Sequence, residues 1–310
     1  MTNEVTIRKI VDHILLNACS VNSSGLYNGK AGMALALFET ARYLQDEYIE
    51  EQAFNLLQEA LITQTEDIGF ENGLGGIGYV LLYLLRKDIV DADFGELFGE
   101  QHEKIMAHLG KSKENSNITP NTIRLNYYLM EVQRIFPANR NIKEFIKTIF
   151  EAVEQDLITL FSSFRKLDSA NNRILVLSQF ECYLKTVCDC IFVDYSHALI
   201  NDYVELYREG RIKSSFSIAC CLEILGLDGA FDDVVISNKQ FANQRDFLRY
   251  TSWRNLIKFA QLTGNDQIIT ENDIEEALLK HMPQGAFIAG YEQGLSRLLI
   301  YLTNHKANLL

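Results

Sequence analysis

The stretch FENGLGGIGYVLLYL, Phe70–Leu84, carries four glycines in six residues (Gly73, Gly75, Gly76, Gly78) directly ahead of an apolar run. Glycine inside a helix costs about 1 kcal/mol relative to alanine. A cluster this dense needs a reason. A phosphate loop, a membrane-packing motif and a repeat signature all use glycine in this way, and recurrence tells them apart.

The stretch recurs. GLYNGKAGMALALFETARYL begins at Gly25, and an offset of 44 places Gly29 over Gly73 and Gly32 over Gly76. Met33 then falls on Ile77, Leu35 on Tyr79 and Leu37 on Leu81. FIAGYEQGLSRLLIYL begins at Phe287; it sets Gly290 on Gly73 and, after one inserted residue, Gly294 on Gly76. That offset of 217–218 is close to five further periods, so seven units of about 44 residues would fill the 310-residue chain. Self-similarity at a fixed period is the mark of a repeat architecture.

Each unit reads as two helices. The first pair is 29–45, apolar on every side, and 47–63, where Phe54, Leu57 and Leu61 form a half-buried stripe. The second pair is 73–86 and 95–110. The same rhythm continues as 119–135, 142–161, 172–190, 192–208, 213–226, 243–262, 271–280 and 287–304. GLDGAFDDVVISNKQFANQ reads as a loop, extended at Val234–Ile236. Only three prolines interrupt the chain, which favours long helices. An all-round apolar helix alternating with an amphipathic one gives inner and outer layers. Repeat copies near both chain ends let the first and last units bury each other's open faces. The expectation is an all-α fold, a single α/α toroid over residues 1–310 with about seven helical hairpins.

The glycines then sit at the N-terminal ends of inner helices, gathered at one end of the ring. Gly29, Gly32, Gly73, Gly76, Gly290 and Gly294 are the structural turn positions. Tyr27, Asn28, Lys30, Glu71, Asn72, Tyr291 and Glu292 flank them and are the candidate ligand-binding residues at the cavity mouth. Two readings of this rim stand side by side. Free N–H groups at converging helix ends favour an anionic or carbonyl-bearing ligand. Asn28 and Asn72 also suit plain N-capping.

GLYNGKAGMALAL, NGLGGIGYVLLYL and GYEQGLSRLLIYL together resemble the lanthionine synthetase C-like (LanC-like) family, which comprises lanthipeptide cyclases and their relatives. The resemblance implies an α/α barrel with a Gly-rich turn before each inner helix. It also implies a zinc ion on two cysteines and a histidine, in Trp-Cys-x-Gly and Cys-His-Gly contexts. That zinc binds a substrate cysteine as thiolate for attack on a dehydrated serine or threonine. This chain departs there. It has no Cys-His dipeptide, its one tryptophan, Trp253, precedes Arg254, and Cys220 and Cys221 fall inside a helix in GRIKSSFSIACCLEIL. No residue is carried over as a metal ligand, and no cofactor is expected. The reading is a zinc-free pseudoenzyme relative that works in peptide modification, with a peptide substrate or a modifying enzyme as partner. An active cyclase with atypical ligands is one alternative. A carbohydrate-active or small-molecule-binding toroid is the other.

Other chemistry is thinner. Cys188, Cys190 and His197 could hold a soft metal only across a bend between helices, and adjacent Cys220 and Cys221 point about 100° apart. The six cysteines read as reduced core thiols. The histidines (His13, His102, His108, His197, His281, His305) stand in no nucleophile motif. Asp67 and Glu71 are a conceivable glycosidic acid–base pair. No strand precedes the glycine turns, and neither continues as Gly-Lys-Ser/Thr, which excludes phosphate-loop and dinucleotide readings there. A net charge of −12 disfavours nucleic acid. The N-terminal residues lack a signal-peptide core and no run is long enough to span a bilayer, so the expected location is cytoplasmic.

Overall fold

A computed structural model describes residues 4–63, 65–115, 120–166, 170–189, 194–213, 215–242, 253, 256–257, 269–280, 289–291 and 294–304. Among the described residues the regular structure is helical, with no strand. None of these helices is long and apolar enough to cross a membrane. The chain divides into two compact units: residues 1–108 with 251–310, and residues 109–250.

The first unit packs early helices of the chain against late ones. It holds α1 (Glu4–Ala18), α2 (Lys30–Leu44), α3 (Glu47–Ile62), α4 (Leu74–Arg86), the start of α5 (Phe94–Asn115), α12 (Glu271–Lys280) and α13 (Leu295–Thr303). Helix α2 packs against α1, α3, α4 and α13. It is buried without a break from Ala31 to Ala41, as α4 is from Leu74 to Leu84 and α13 from Leu295 to Leu302. These three are the helices buried on every side. Helices α1 and α3 cover them with one face each: Ile7, Ile10 and Ile14 from α1, and Ile49, Ala53, Leu56, Leu57 and Ala60 from α3. That spacing of three and four is the stripe of a half-buried helix.

Two expectations are corrected here. Phe54 is not part of the α3 stripe; it lies on the outer face, 51% exposed, between Glu47, Glu50 and Glu51. Leu57 is buried as expected, while Ala53 and Ala60 take the places expected for Phe54 and Leu61. The segment expected to be a loop after residue 226 is instead a short 3-10 turn, Asp228–Ala230, and a full helix, α11 (Asp232–Ala242). Asp232 and Asp233 favour a helix start electrostatically. Val234, Val235 and Asn238 then share the buried side, against α9 and α10. Packing overrides the β-branched run.

The second unit contains α6 (Pro120–Ile135), α7 (Arg140–Lys166), α8 (Ala170–Asp189), α9 (His197–Arg208), α10 (Phe216–Ile224) and α11. Helix α8 packs on α6, α7 and α10, while α9 lies on α7 and α11. Its centre is aromatic. Phe180 meets Phe161 edge-on at 5.4 Å and stacks on Tyr203 at 5.0 Å. Most helix limits fall within a few residues of the periodicity reading; the helix expected over 243–262 lies largely outside the described residues.

Candidate functional site

The glycine turns are built alike, residue for residue. Residues 23–29 read SSGLYNG and 67–73 read DIGFENG. Ser23 Oγ accepts from Gly25 N–H at 3.4 Å, and Asp67 Oδ1 accepts from Gly69 N–H at 2.7 Å. Each side chain thus opens its turn by a bond two residues on. The chain then folds back over the helix start. Lys30 N–H donates to Ser23 O (3.0 Å), Ala31 to Ser24 O (3.2 Å) and Gly32 to Gly25 O (3.4 Å). In the next copy Leu74 N–H donates to Asp67 O (2.8 Å) and Gly75 to Ile68 O (3.2 Å).

This geometry overturns both readings of the rim. The first N–H groups of α2 and α4 are not free for an anion, because loop carbonyls seven residues back take them. The N-caps are Gly29 and Gly73, extended and without a side-chain cap, so Asn28 and Asn72 lie one residue outside the cap position. A looped-back backbone leaves no orphan donors for an asparagine to satisfy.

The same fold explains the glycines. A Cβ on Gly32 would lie 1.9 Å from Leu26 O and 2.7 Å from Tyr291 Cβ; on Gly76 it would lie 2.2 Å from Phe70 O and 2.8 Å from Leu26 Cβ. Each second glycine therefore seats its own loop and a side chain of the neighbouring turn. A backbone ladder joins the three turns in order. Tyr291 N–H donates to Tyr27 O, and Tyr27 N–H to Glu71 O, both at 2.7 Å. The last turn, the first and the second are thus consecutive neighbours.

Of the expected site residues, Tyr27 is buried and meets the Phe70 ring edge-on at 6.2 Å. Lys30 is half-buried and pairs with Glu59. Asn28 and Glu71 are half-buried and Asn72 is exposed. Tyr291 is buried beneath the Arg297 guanidinium, 4.4 Å from its ring centre. Glu292 lies outside the described residues. One register is corrected. Gly294 is the N-cap of α13, matching Gly29 and Gly73 rather than Gly32 and Gly76. Arg297 then stands where the other copies have their second glycine.

That register exposes a centre the repeat alignment had missed. Ten residues beyond each capping glycine stand Glu39, Tyr83 and Asn304. All three meet. Tyr83 Oη donates to Glu39 Oε1 at 2.7 Å, and Asn304 Nδ2 donates to Glu39 Oε2 at 2.9 Å. Glu39 is buried in the middle of α2. Burial, and then the Glu39 carboxylate, push the Tyr83 hydroxyl well above the usual phenol range. The Arg86 guanidinium lies 5.4 Å from the Tyr83 ring centre. The signal for this hub was the 44-residue offset carried ten residues past the glycines.

Other candidates take structural places. Asp67 commits a carboxylate oxygen to Gly69 N–H, which fits it for turn formation more than for acid–base work. Cys182, Cys220 and Cys221 are buried, and Cys188 Sγ lies 3.6 Å from Cys221 O; Cys190 is outside the described residues. Among the described residues no group of three His, Cys, Asp or Glu side chains is placed to hold a metal. A Gly-Lys-Ser does occur in the chain, at 110–112. It lies inside α5 with Ile105 where a phosphate loop has its first glycine, so it is not one.

Comparison of the chain with protein-family models, with curated proteins and with solved structures gives no match.

Proposed function

We propose that this protein is a LanC-like α/α toroid serving in peptide modification as a zinc-free accessory that binds a peptide. The observation that carries the reading is the consecutive placement of the last, first and second glycine turns, linked through Tyr291, Tyr27 and Glu71. A repeat array whose last copy adjoins its first supports closure into a ring. The residue-level likeness of the three turns to the LanC-like pattern supports the family. With the helix-start donors of α2 and α4 already satisfied, these two turns offer side chains rather than bare amides. Asn72, Asn28 and Glu71 suit the alternating donors and acceptors of a peptide backbone better than an anion. The lack of a Cys-His dipeptide argues against thiolate activation by the family's zinc site.

The test uses the full chain purified without a metal-binding tag. Zinc per chain is measured by mass spectrometry. The protein is then incubated with a synthetic peptide carrying one cysteine and one dehydroalanine. Saturable binding by fluorescence anisotropy, weakened by Asn72→Ala with Glu71→Ala, without zinc or thioether formation, is the expected result. Stoichiometric zinc with thioether formation would replace this reading by an active cyclase. No binding would remove the peptide role.

A further inference from the structure

Helix α3 covers α2 with one face and exposes the other. Glu47, Glu51, Phe54, Gln58 and Ile62 follow one another at steps of four, three, four and four, so they form a single row along the exposed face. Tyr48 and Glu50 flank the row and are exposed too. Phe54, Tyr48 and Ile62 are 51%, 61% and 73% exposed. Exposed apolar residues scattered singly are ordinary on a protein surface. Three on one 16-residue helix are not scattered.

Charge sets this face apart as well. Helix α3 contains no lysine or arginine. Its capping Asp46 is paired with Arg8, and Glu59 near its end is paired with Lys30. Among the described residues no ion pair engages Glu47, Glu50 or Glu51, the three carboxylates around Phe54. The positive end of the helix favours Glu47 and Glu50, which lie in its first turn. Glu51 lies beyond that turn and four residues from Glu47, a spacing at which like charges repel. The helix dipole also gives no reason for an exposed phenylalanine among them.

We propose that the exposed face of α3 docks a basic amphipathic helix of another protein, whose apolar residues cover Phe54 and Ile62 and whose lysines or arginines pair with Glu47, Glu50 and Glu51. The backbone of α3 is bonded within the helix, so it offers side chains and no edge for a strand; a second helix can lay its ridges into the grooves between them. Phe54 and Ile62 lie about 12 Å apart along the axis, which asks for apolar residues two turns apart on the partner. A second copy suits the face less well, because α3 on α3 brings both sets of carboxylates into one interface with no cation from either helix. The Lys30–Glu59 pair sets the end of α3 beside the first glycine turn, so its acidic start lies at the far end of the α2–α3 hairpin.

The test uses the full chain and a synthetic helical peptide of about 18 residues, with leucines on one face and lysines on the other. A second peptide carries glutamate for every lysine. Binding is read by fluorescence anisotropy. The lysine peptide should bind, more weakly as salt rises, and the glutamate peptide should not. Glu47→Gln with Glu50→Gln and Glu51→Gln should weaken binding about tenfold, and so should Phe54→Ala alone. Glu96→Gln with Glu100→Gln and Glu103→Gln removes the same charge from exposed positions of α5 and should change binding less than about twofold. Equal weakening by the two triple variants would overturn the proposal, since net charge alone would then attract the peptide. So would no binding of the lysine peptide. A dimer in analytical ultracentrifugation that Phe54→Ala dissociates would give the face to a second copy instead. Asn72→Ala with Glu71→Ala should leave this binding unchanged; a loss there would move the peptide to the glycine turns. Carbodiimide cross-linking of the wild-type chain to the lysine peptide, mapped by mass spectrometry, decides even if a variant fails to fold. Links at Glu47, Glu50 or Glu51 are expected, and links only elsewhere would overturn the proposal.

Discussion

Tyr83 donates its hydroxyl hydrogen to Glu39 at 2.7 Å, although 44 residues separate them, and that number is the repeat itself. The bond joins equivalent positions of two copies. Asn304 adds the third copy through the other carboxylate oxygen. Glu39 is therefore a shared acceptor at which α2, α4 and the end of α13 are fastened.

Removing the acceptor should do more harm than removing either donor. Tyr83→Phe deletes one hydrogen bond and should lower unfolding free energy by about 1–2 kcal/mol. Glu39→Leu strands both donors and should cost about 2–6 kcal/mol, taking 1–3 for each stranded group. In a urea-denaturation cycle, Tyr83→Phe should cost much less in the Glu39→Leu background. Strict additivity of the two changes would show that they do not act through one bond.

The glycines divide into two kinds. Gly32→Ala and Gly76→Ala drive a Cβ to within about 2 Å of a backbone carbonyl and should each destabilise by at least about 1–3 kcal/mol. Gly99, within α5, has nothing near its Cβ position. Gly99→Ala should stabilise by about 0.4–1 kcal/mol, through helix propensity and a less flexible unfolded chain. Equal effects at Gly32 and Gly99, read from denaturation midpoints, would contradict the close approach.

Asp46 caps α3, accepting from Tyr48 and Ile49 N–H, and bonds Arg8 Nη1 at 2.6 Å. The Arg8 guanidinium first, and then the Ile49 amide, hold its carboxyl below the usual range. A carboxyl depressed in the folded state stabilises fully above its unfolded value, near 4, and loses that contribution as pH falls through the folded value. Asp46→Ala should cost about 1 kcal/mol at neutral pH, whereas Asp46→Asn keeps most of the cap. The gap between wild type and Asp46→Asn should close as the pH of a urea titration is taken from 6 to 2. A gap that widens on acidification would mean the carboxyl is not depressed.

The thiols differ in access. Cys19 is exposed and should react with a maleimide in the native protein well before Cys182, Cys220 and Cys221. Peptide mapping by mass spectrometry gives the order. Prompt labelling of Cys220 or Cys221 would show that α10 is not packed as described.

The helices of the first unit were legible because their apolar periodicity is strong: 29–45 and 73–86 differ from α2 and α4 by one residue at most at either end. Three features were not legible. Phe54 passed for a core residue because i, i+3, i+7 spacing does not say which of two adjacent stripes faces inward. Val234–Ile236 looked extended because local propensity ignores the helices that bury two of these three residues. Arg297 in place of a glycine pulled Gly294 onto the wrong partner, and with that register Asn304 could not be seen beside Glu39. The rim was misjudged for a related reason. Residue type suggested capping asparagines, whereas a backbone bond seven residues back leaves no trace in composition.

That backbone loop has an evolutionary consequence. The first and second turns each satisfy their helix start from within their own seven residues, and the first spends its Tyr27 amide on the second. Such a segment is portable: it can be copied whole, because the bonds that close its helix start come from its own residues. It can also decay alone. A copy that trades its glycines for another helix start would therefore disturb only its junctions with the turns beside it.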